Sequence, residues 1–352
     1  MHPHFRKEKN LILAVLMFCA LTWMGLRSAE PEKAEPPQNS AGLFIDYTQP
    51  LSPSLLKNDP FKTSKYLQRR FATFNYTWFK QNVITPNSKG TPKAAFQFQL
   101  FPKEAPFKAQ TTTYRIENGV HLWTGTLESN YFSRAQFSVD ENGGFGNFQV
   151  DDRVFSFHPI WDGKKIIHVI YEVNQSKLGT CATKEAPNTK YVPKQSQNAM
   201  FPIEVLYLLP ESFNTTCTDP NLAPLFRRMI SRHLPLHLNE ALNMEFEQIG
   251  ITQPVKFSAS SKCIPYQPRY GDFGNDIEFL KTDAGIADLR NDVDADLVIM
   301  VTPEQDGLVC GRGTAPWPLQ PRHSEDAAHA IVAFPCAIPK YSLAHEVGHQ
   351  MG

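Results

Sequence analysis

The spacing of apolar and polar positions changes part-way along this chain. Between residues 94 and 175 it follows the two-residue period of half-buried strands, as in Phe96-Gln97-Phe98-Gln99-Leu100. Strands are predicted at 96–100, 120–127, 135–139, 145–150, 154–157 and 166–173. Turn signals divide them: Glu141-Asn142-Gly143-Gly144, Asp151-Asp152 and Trp161-Asp162-Gly163. Residues 43–93 show no clear period. Residues 176–200, polar and carrying Pro187 and Pro193, read as an exposed linker. From Phe201 the pattern lengthens. Strands at 203–209, 255–258, 296–302 and 328–333 alternate with helices at 221–248 and 275–291, and a short helix follows the last strand. Pro235 should kink or divide the first helix. The alternation predicts an α/β layered sheet preceded by a mainly β unit.

Composition narrows the function. Lys+Arg and Asp+Glu both number 35, so there is no basic excess and no nucleic-acid partner is expected. Residues 1–28 have the layout of a secretory signal peptide: Arg6, Lys7 and Lys9, then an uncharged, mostly apolar run over 11–26. The run is short for a bilayer span, although an uncleaved anchor is the alternative; either way the remainder is exported, and no stable membrane association is expected after cleavage. Residues 29–42, rich in Pro, Glu and Ala, read as a disordered spacer. The expected organisation is therefore 1–28 signal, 29–42 spacer, 43–199 a β-rich leading segment and 200–352 an α/β domain. Arg69-Arg70 reads as an exposed basic pair rather than a processing site.

The most specific pattern is His345-Glu346-Val347-Gly348-His349. On a helix, residues four apart share a face, so both imidazoles can reach one zinc ion. Glu346 then stands beside the open position, placed to take a proton from a water whose pKa the metal lowers to about 7. This is the equipment for hydrolysing a peptide bond. The bland alternative is a surface helix with two solvated histidines. Tyr341, Leu343, Ala344, Val347 and Met351 argue against it, because they give the helix an apolar side. Gly348 inside the helix suggests close packing, and Gly352 is placed to end it. His349-Gln350-Met351-Gly352 also begins the longer pattern H-E-x-x-H-x-x-G-x-x-H, whose third histidine would fall at position 355. The 352 residues are therefore expected to be a fragment, inactive alone.

Other histidines carry no such pattern. His121, His158 and His168 are expected to be structural. His233 and His237 are four apart, but no acid follows His233 and Pro235 lies between them, so they read as solvated rather than as a second metal site. Of six cysteines, Cys19 lies in the signal segment. Cys217, Cys263, Cys310 and Cys336 suggest two disulfides, with Cys310–Cys336 and Cys217–Cys263 preferred among three connectivities. Cys181 is left odd. Its thiolate can serve as an inhibitory zinc ligand in a precursor, in the place catalysis needs for water; the alternative is a free or mispaired thiol.

The series 287–301 (A-D-L-R-N-D-V-D-A-D-L-V-I-M-V), Cys310-Gly311, the strand from Ala328, Cys336 and Y-S-L-A-H-E-V-G-H-Q-M-G resembles the metzincin zinc endopeptidases. It looks most like the peptidyl-Asp metallopeptidases, with the adamalysin or reprolysin group close behind, over roughly residues 200–352. The resemblance implies a metzincin-type mixed twisted sheet with an active-site helix. It implies His345 and His349 as zinc ligands and Glu346 as general base. Ala328, His329, Ala330, Ile331, Val332 and Ala333 would form the edge strand that pairs with an extended peptide or protein substrate. The β unit would be a propeptide. The implied function is a secreted, zinc-dependent metalloendopeptidase made as a zymogen. A secreted, non-catalytic binding protein on the same scaffold is the alternative, disfavoured by the intact His345, Glu346 and His349.

Overall fold

In a computed structural model of the chain, the described residues are 42–50, 66–84, 91–127, 133–181, 201–210, 224–248, 255–269, 273–303, 309–314 and 328–351. The signal segment, the spacer up to Ala41, residues 182–200, Cys217 and Gly352 lie outside them. Residues from Ala41 onward form one unit. Among the described residues, no helix is long and apolar enough to cross a membrane.

The first half is β1 (Phe44–Asp46), β2 (Tyr66–Phe74), α1 (Tyr76–Asn82), β3 (Ala95–Phe98), β4 (Phe107–Glu117), β5 (Val120–Leu127), β6 (Arg134–Asp140), β7 (Gly143–Val150), β8 (Arg153–Trp161) and β9 (Ile166–Val173). These strands make one antiparallel sheet in the order β1-β2-β9-β8-β7-β6-β5-β4-β3. Alternate residues enter two different cores. Trp123, Phe137, Phe148, Phe155 and Phe157 build an aromatic core on one face. Phe145, Val154, Val169, Tyr171 and Val173 on the other face join the core of the second sheet. A sheet covered on both faces reads as nearly continuous apolar runs, which is why 166–173 shows little alternation. At the β6–β7 turn, Gly143 has φ 106° and Gly144 has φ 157°. A side chain at 143 would collide with the His168 ring, 2.2 Å from an added Cβ. Arg69 and Arg70 lie inside β2 and are half-buried, not an exposed pair; Arg70 is 3.5 Å from Asp46.

The second half begins with β10 (Thr180–Cys181), drawn from the segment expected to be linker. It continues with β11 (Phe201–Pro210), α2 (Pro224–Gln248), β12 (Val255–Ile264), α3 (Phe273–Thr282), α4 (Ala284–Asp292), β13 (Leu297–Thr302), β14 (Val309–Gly313), β15 (His329–Ala333), α5 (Phe334–Ala337) and α6 (Ser342–Met351). The sheet order is β10-β14-β15-β13-β11-β12. All neighbours are parallel except β14 and β15.

Three expectations change. The run 328–333 is not an edge strand. β15 lies between β13 and β14 with all five residues buried, and its apolar run His-Ala-Ile-Val-Ala suits an interior position. Pro235 does not divide α2. The proline lacks the N–H that would bond the Ser231 carbonyl, and the Ser261 hydroxyl on β12 donates to that carbonyl instead, at 2.6 Å. The stretch 275–291 is two helices, because the Asp283 carboxylate accepts the Ile286 N–H at 3.1 Å and caps a new start.

Cys310 on β14 and Cys336 on α5 are disulfide-bonded, as preferred from the sequence. Cys263 is also disulfide-bonded, and Cys217, its expected partner, lies outside the described residues. Closing a loop over a sequence separation of 26 contributes about 3.5 kcal/mol in the chain-entropy account. The double variant Cys310→Ser, Cys336→Ser should lower the free energy of urea unfolding by about 3 kcal/mol; an unchanged midpoint would show that β14 needs no tether.

Candidate active site

Helix α6 is held from beneath. Leu343 and Val347 are buried in the core, and the Gln350 amide donates to the His329 carbonyl of β15 at 2.6 Å. Tyr341, just before the helix, has φ 55°. Its hydroxyl donates to the Gln149 side-chain oxygen of β7 at 2.5 Å, and the Arg134 guanidinium of β6 lies 4.9 Å from its ring centre. The β-rich segment thus grips the point where the helix begins.

This anchoring leaves His345 exposed and His349 half-buried on the opposite side. Their Nε2 atoms are 2.9 Å apart. Two nitrogens bound tetrahedrally to one zinc at about 2.0–2.1 Å would be about 3.3 Å apart, so the observed convergence fits a shared ion after a small ring rotation. Among the described residues, no group of three or more His, Cys, Asp or Glu is gathered to hold a metal. Two imidazoles are what these residues bring together here.

Glu346 is completely buried. Its carboxyl group lies against β14, where a Cβ added to Gly311 would stand 2.8 Å from Oε1 and one added to Gly313 would stand 3.1 Å from Oε2. The two glycines let the sheet approach closely and fix where the carboxylate is. Sequence reasoning missed β14 as a strand, because Val-Cys-Gly-Arg-Gly has weak strand propensity. Gly348 disagrees with the close packing expected of it: nothing lies within 4 Å of an added Cβ.

Cys181 lies in β10, beside β14, with its backbone in register with Gly311. Neighbouring strands are about 4.8 Å apart. The thiol-bearing residue is thus one strand away from the glycine that Glu346 packs against. Cys263 lies on β12 at the other edge, five strand spacings or about 24 Å away. A disulfide needs Cα atoms within about 7 Å, so Cys181 and Cys263 cannot pair.

His233 and His237 are not solvated. They are 1% and 0% exposed, on the face of α2 turned to the first sheet. His233 Nε2 is 3.1 Å from Asp140 Oδ2, and His237 Nε2 is 2.6 Å from Asn147 Oδ1, so each has its own partner instead of a shared metal. His121, His158 and His168 are buried, as expected of structural residues.

No family model and no curated protein matches the chain. Among solved structures it is similar to metalloproteinase-II from Bacteroides fragilis, at 11% identity and a TM-score of 0.43, over 73% of this chain and 80% of that one. It is also similar to a chaperone-substrate complex, at 14% identity and a TM-score of 0.31, over 65% of this chain and 27% of that one.

The two glycines around Glu346 should respond oppositely to alanine. Gly311→Ala overpacks a buried contact and should cost about 1–3 kcal/mol. Gly348→Ala adds a helix-favouring methyl in open space and should stabilise by about 1 kcal/mol. Denaturant unfolding of both variants checks the assignment, and a neutral Gly311→Ala would mean that Glu346 is not held by β14.

Proposed function

We propose that this protein is a zinc-dependent endopeptidase, exported and made as an inactive precursor. The observation that carries the reading is the meeting of three groups: two imidazoles converging on one point, a buried carboxylate next to them in the same helix turn, and a sheet edge alongside. His345 and His349 would hold zinc, with a third ligand at position 355 as the longer motif implies. Zinc, when bound, supplies Lewis acidity that acidifies water and polarises a carbonyl. Glu346 takes the proton of the attacking water and returns it to the departing amine. Both transfers require its carboxylate to stay in one place, which its contacts with Gly311 and Gly313 support.

The substrate-pairing role passes from 328–333 to β14. An extended peptide can add to an open sheet edge through main-chain hydrogen bonds, whatever its sequence. The outer edge of β14 is taken by β10, a parallel pairing of only two residues. A substrate strand must displace it. Two observations support reading residues 43–199 as an inhibitory propeptide: β10 covers the edge, and the Cys181 backbone lies in register with Gly311.

Two substitutions test this in the zinc-loaded protein. Glu346→Gln should retain zinc and lower peptide hydrolysis at least about a hundredfold, since only the proton acceptor changes. Near-normal turnover would remove Glu346 from the chemistry. Cys181→Ala should give a precursor that hydrolyses a short peptide before any chain cleavage, shown by gel, with a chelator abolishing the signal. A silent variant would mean that β10 blocks the edge without help from the thiol.

A further inference from the structure

We propose that a cavity at the meeting of the first sheet, the second half of α2 and the approach to α6 is a binding site for a free α-amino acid, its ammonium taken by Glu245 and its carboxylate by Arg134. Neither His345 nor His349 lines it, and the proposal does not rest on the peptidase reading.

Three parts of the fold close the cavity with apolar side chains. Ala135 and Phe148 come from β6 and β7, Ala241 from α2, and Pro339 from the link between α5 and α6. All four are buried. The small side chains at 135 and 241 leave space that larger ones would fill. The cavity volume is about 30 Å³. A water needs about 10–15 Å³ on the same measure, so about two non-hydrogen atoms fit inside. The cavity is not sealed. Arg134, Met244, Ile338 and Tyr341 line it and are half-buried, so a larger molecule can keep its remaining atoms at the opening.

The interior contains a carboxyl group. Glu245 lines the cavity, is 7% exposed, and has its Oε2 buried without a hydrogen-bond partner. A buried acceptor without a donor is destabilising. Burial raises the Glu245 carboxyl to about 8, from an ordinary 4.5, against the pull of Arg134, as expected where no donor reaches it. The other polar side chains in the lining are engaged. The Gln136 amide donates to the His237 carbonyl at 3.3 Å, Asn147 Oδ1 is 2.6 Å from His237 Nε2, and Gln149 accepts from the Tyr341 hydroxyl at 2.5 Å. Glu245 is therefore the group that selects the ligand, and the ligand must bring N–H donors.

Arg134 supplies the second half of the site. Its guanidinium lies 4.9 Å from the Tyr341 ring centre. Among the described residues it forms no ion pair with Glu245, although it is near enough to pull on that carboxyl. Two groups of opposite charge thus line one cavity without touching. A guanidinium suits a carboxylate, which it can hold through two parallel N–H bonds. A free α-amino acid carries an ammonium and a carboxylate on a single carbon. Its nitrogen and Cα match the two-atom interior, and its carboxylate meets Arg134 at the opening. The side chain then runs out past Met244 and Ile338, which favours an apolar one. A simple amine would leave Arg134 unused, and in a peptide the two charges are on different residues.

The test is isothermal titration of the full chain with L-leucine, in the presence of a chelator so that the amino acid cannot bind at a metal. L-leucinamide, which lacks the carboxylate, and N-acetyl-L-leucine, which lacks the ammonium, are the comparison ligands. Leucine should bind, and each comparison ligand should bind about 10- to 100-fold more weakly, the worth of one hydrogen-bonded charge. Glu245→Gln keeps the shape of the side chain and removes its charge, and Arg134→Gln removes the charge at the opening. Each should weaken leucine binding by a similar factor, with far-ultraviolet dichroism showing the fold intact. No measurable binding of leucine overturns the site. Leucinamide binding as tightly as leucine takes the carboxylate out of recognition and overturns the amino-acid assignment. Leucine affinity unchanged in Glu245→Gln puts the ligand elsewhere and overturns the proposal as well.

Discussion

The central turns of α2, residues 233–242, are buried with a sheet on each side, and a buried turn must find a partner for each polar group it carries. The rest of the structure follows from how it does so. Toward the α/β sheet, the Asn239 amide donates to the Phe257 carbonyl at 2.6 Å, and the Asn243 side chain accepts the Phe257 N–H at 3.0 Å, pinning β12. The carbonyl orphaned by Pro235 takes Ser261 from the same strand. Toward the antiparallel sheet, Glu240 pairs with Arg115, His233 with Asp140 and His237 with Asn147. Stripping away either sheet would leave buried donors and acceptors unmatched, at about 1–3 kcal/mol for each group that water failed to reach. The β-rich segment is thus a structural counterpart of the α/β half.

The same economy of space governs the site. Glu346 can be buried under the sheet only because β14 presents glycine at 311 and 313, and β14 is held to the approach of α6 by the Cys310–Cys336 bond. Two glycines, poor strand formers, sit in the strand that lies against Glu346. Local preference and global position conflict there, and the contact with Glu346 is what the glycines permit.

It also explains what was legible in the sequence. All six strands predicted between 94 and 175 fall on observed ones, because alternation and the Glu141–Gly144 turn report geometry directly. The His345–Glu346–His349 helix was legible from spacing alone. β14 was not, since two glycines in five residues erase the strand signal, and β4 was missed because Phe107–Glu117 is largely polar. Assigning the edge to 328–333 came from resemblance, whereas the all-apolar character of those residues already pointed to an interior strand. His233 and His237 misled for a different reason. A histidine on a helix looks the same in sequence whether water or a second sheet faces it, and only the tertiary partner, with Asp140 and Asn147 some 90 residues upstream, decides.

The cover over β14 and the contacts that hold the first sheet lie at different places in this chain. The edge of β14 is covered by two residues in parallel pairing, a weak contact by itself. The strength of attachment lies on α2 and at Tyr341, where the first sheet contributes an ion pair, aromatic contacts and hydrogen bonds. Cutting the chain between β10 and β11 removes none of these. On the precursor reading, uncovering β14 would therefore be a question about the α2 interface rather than about β10 itself.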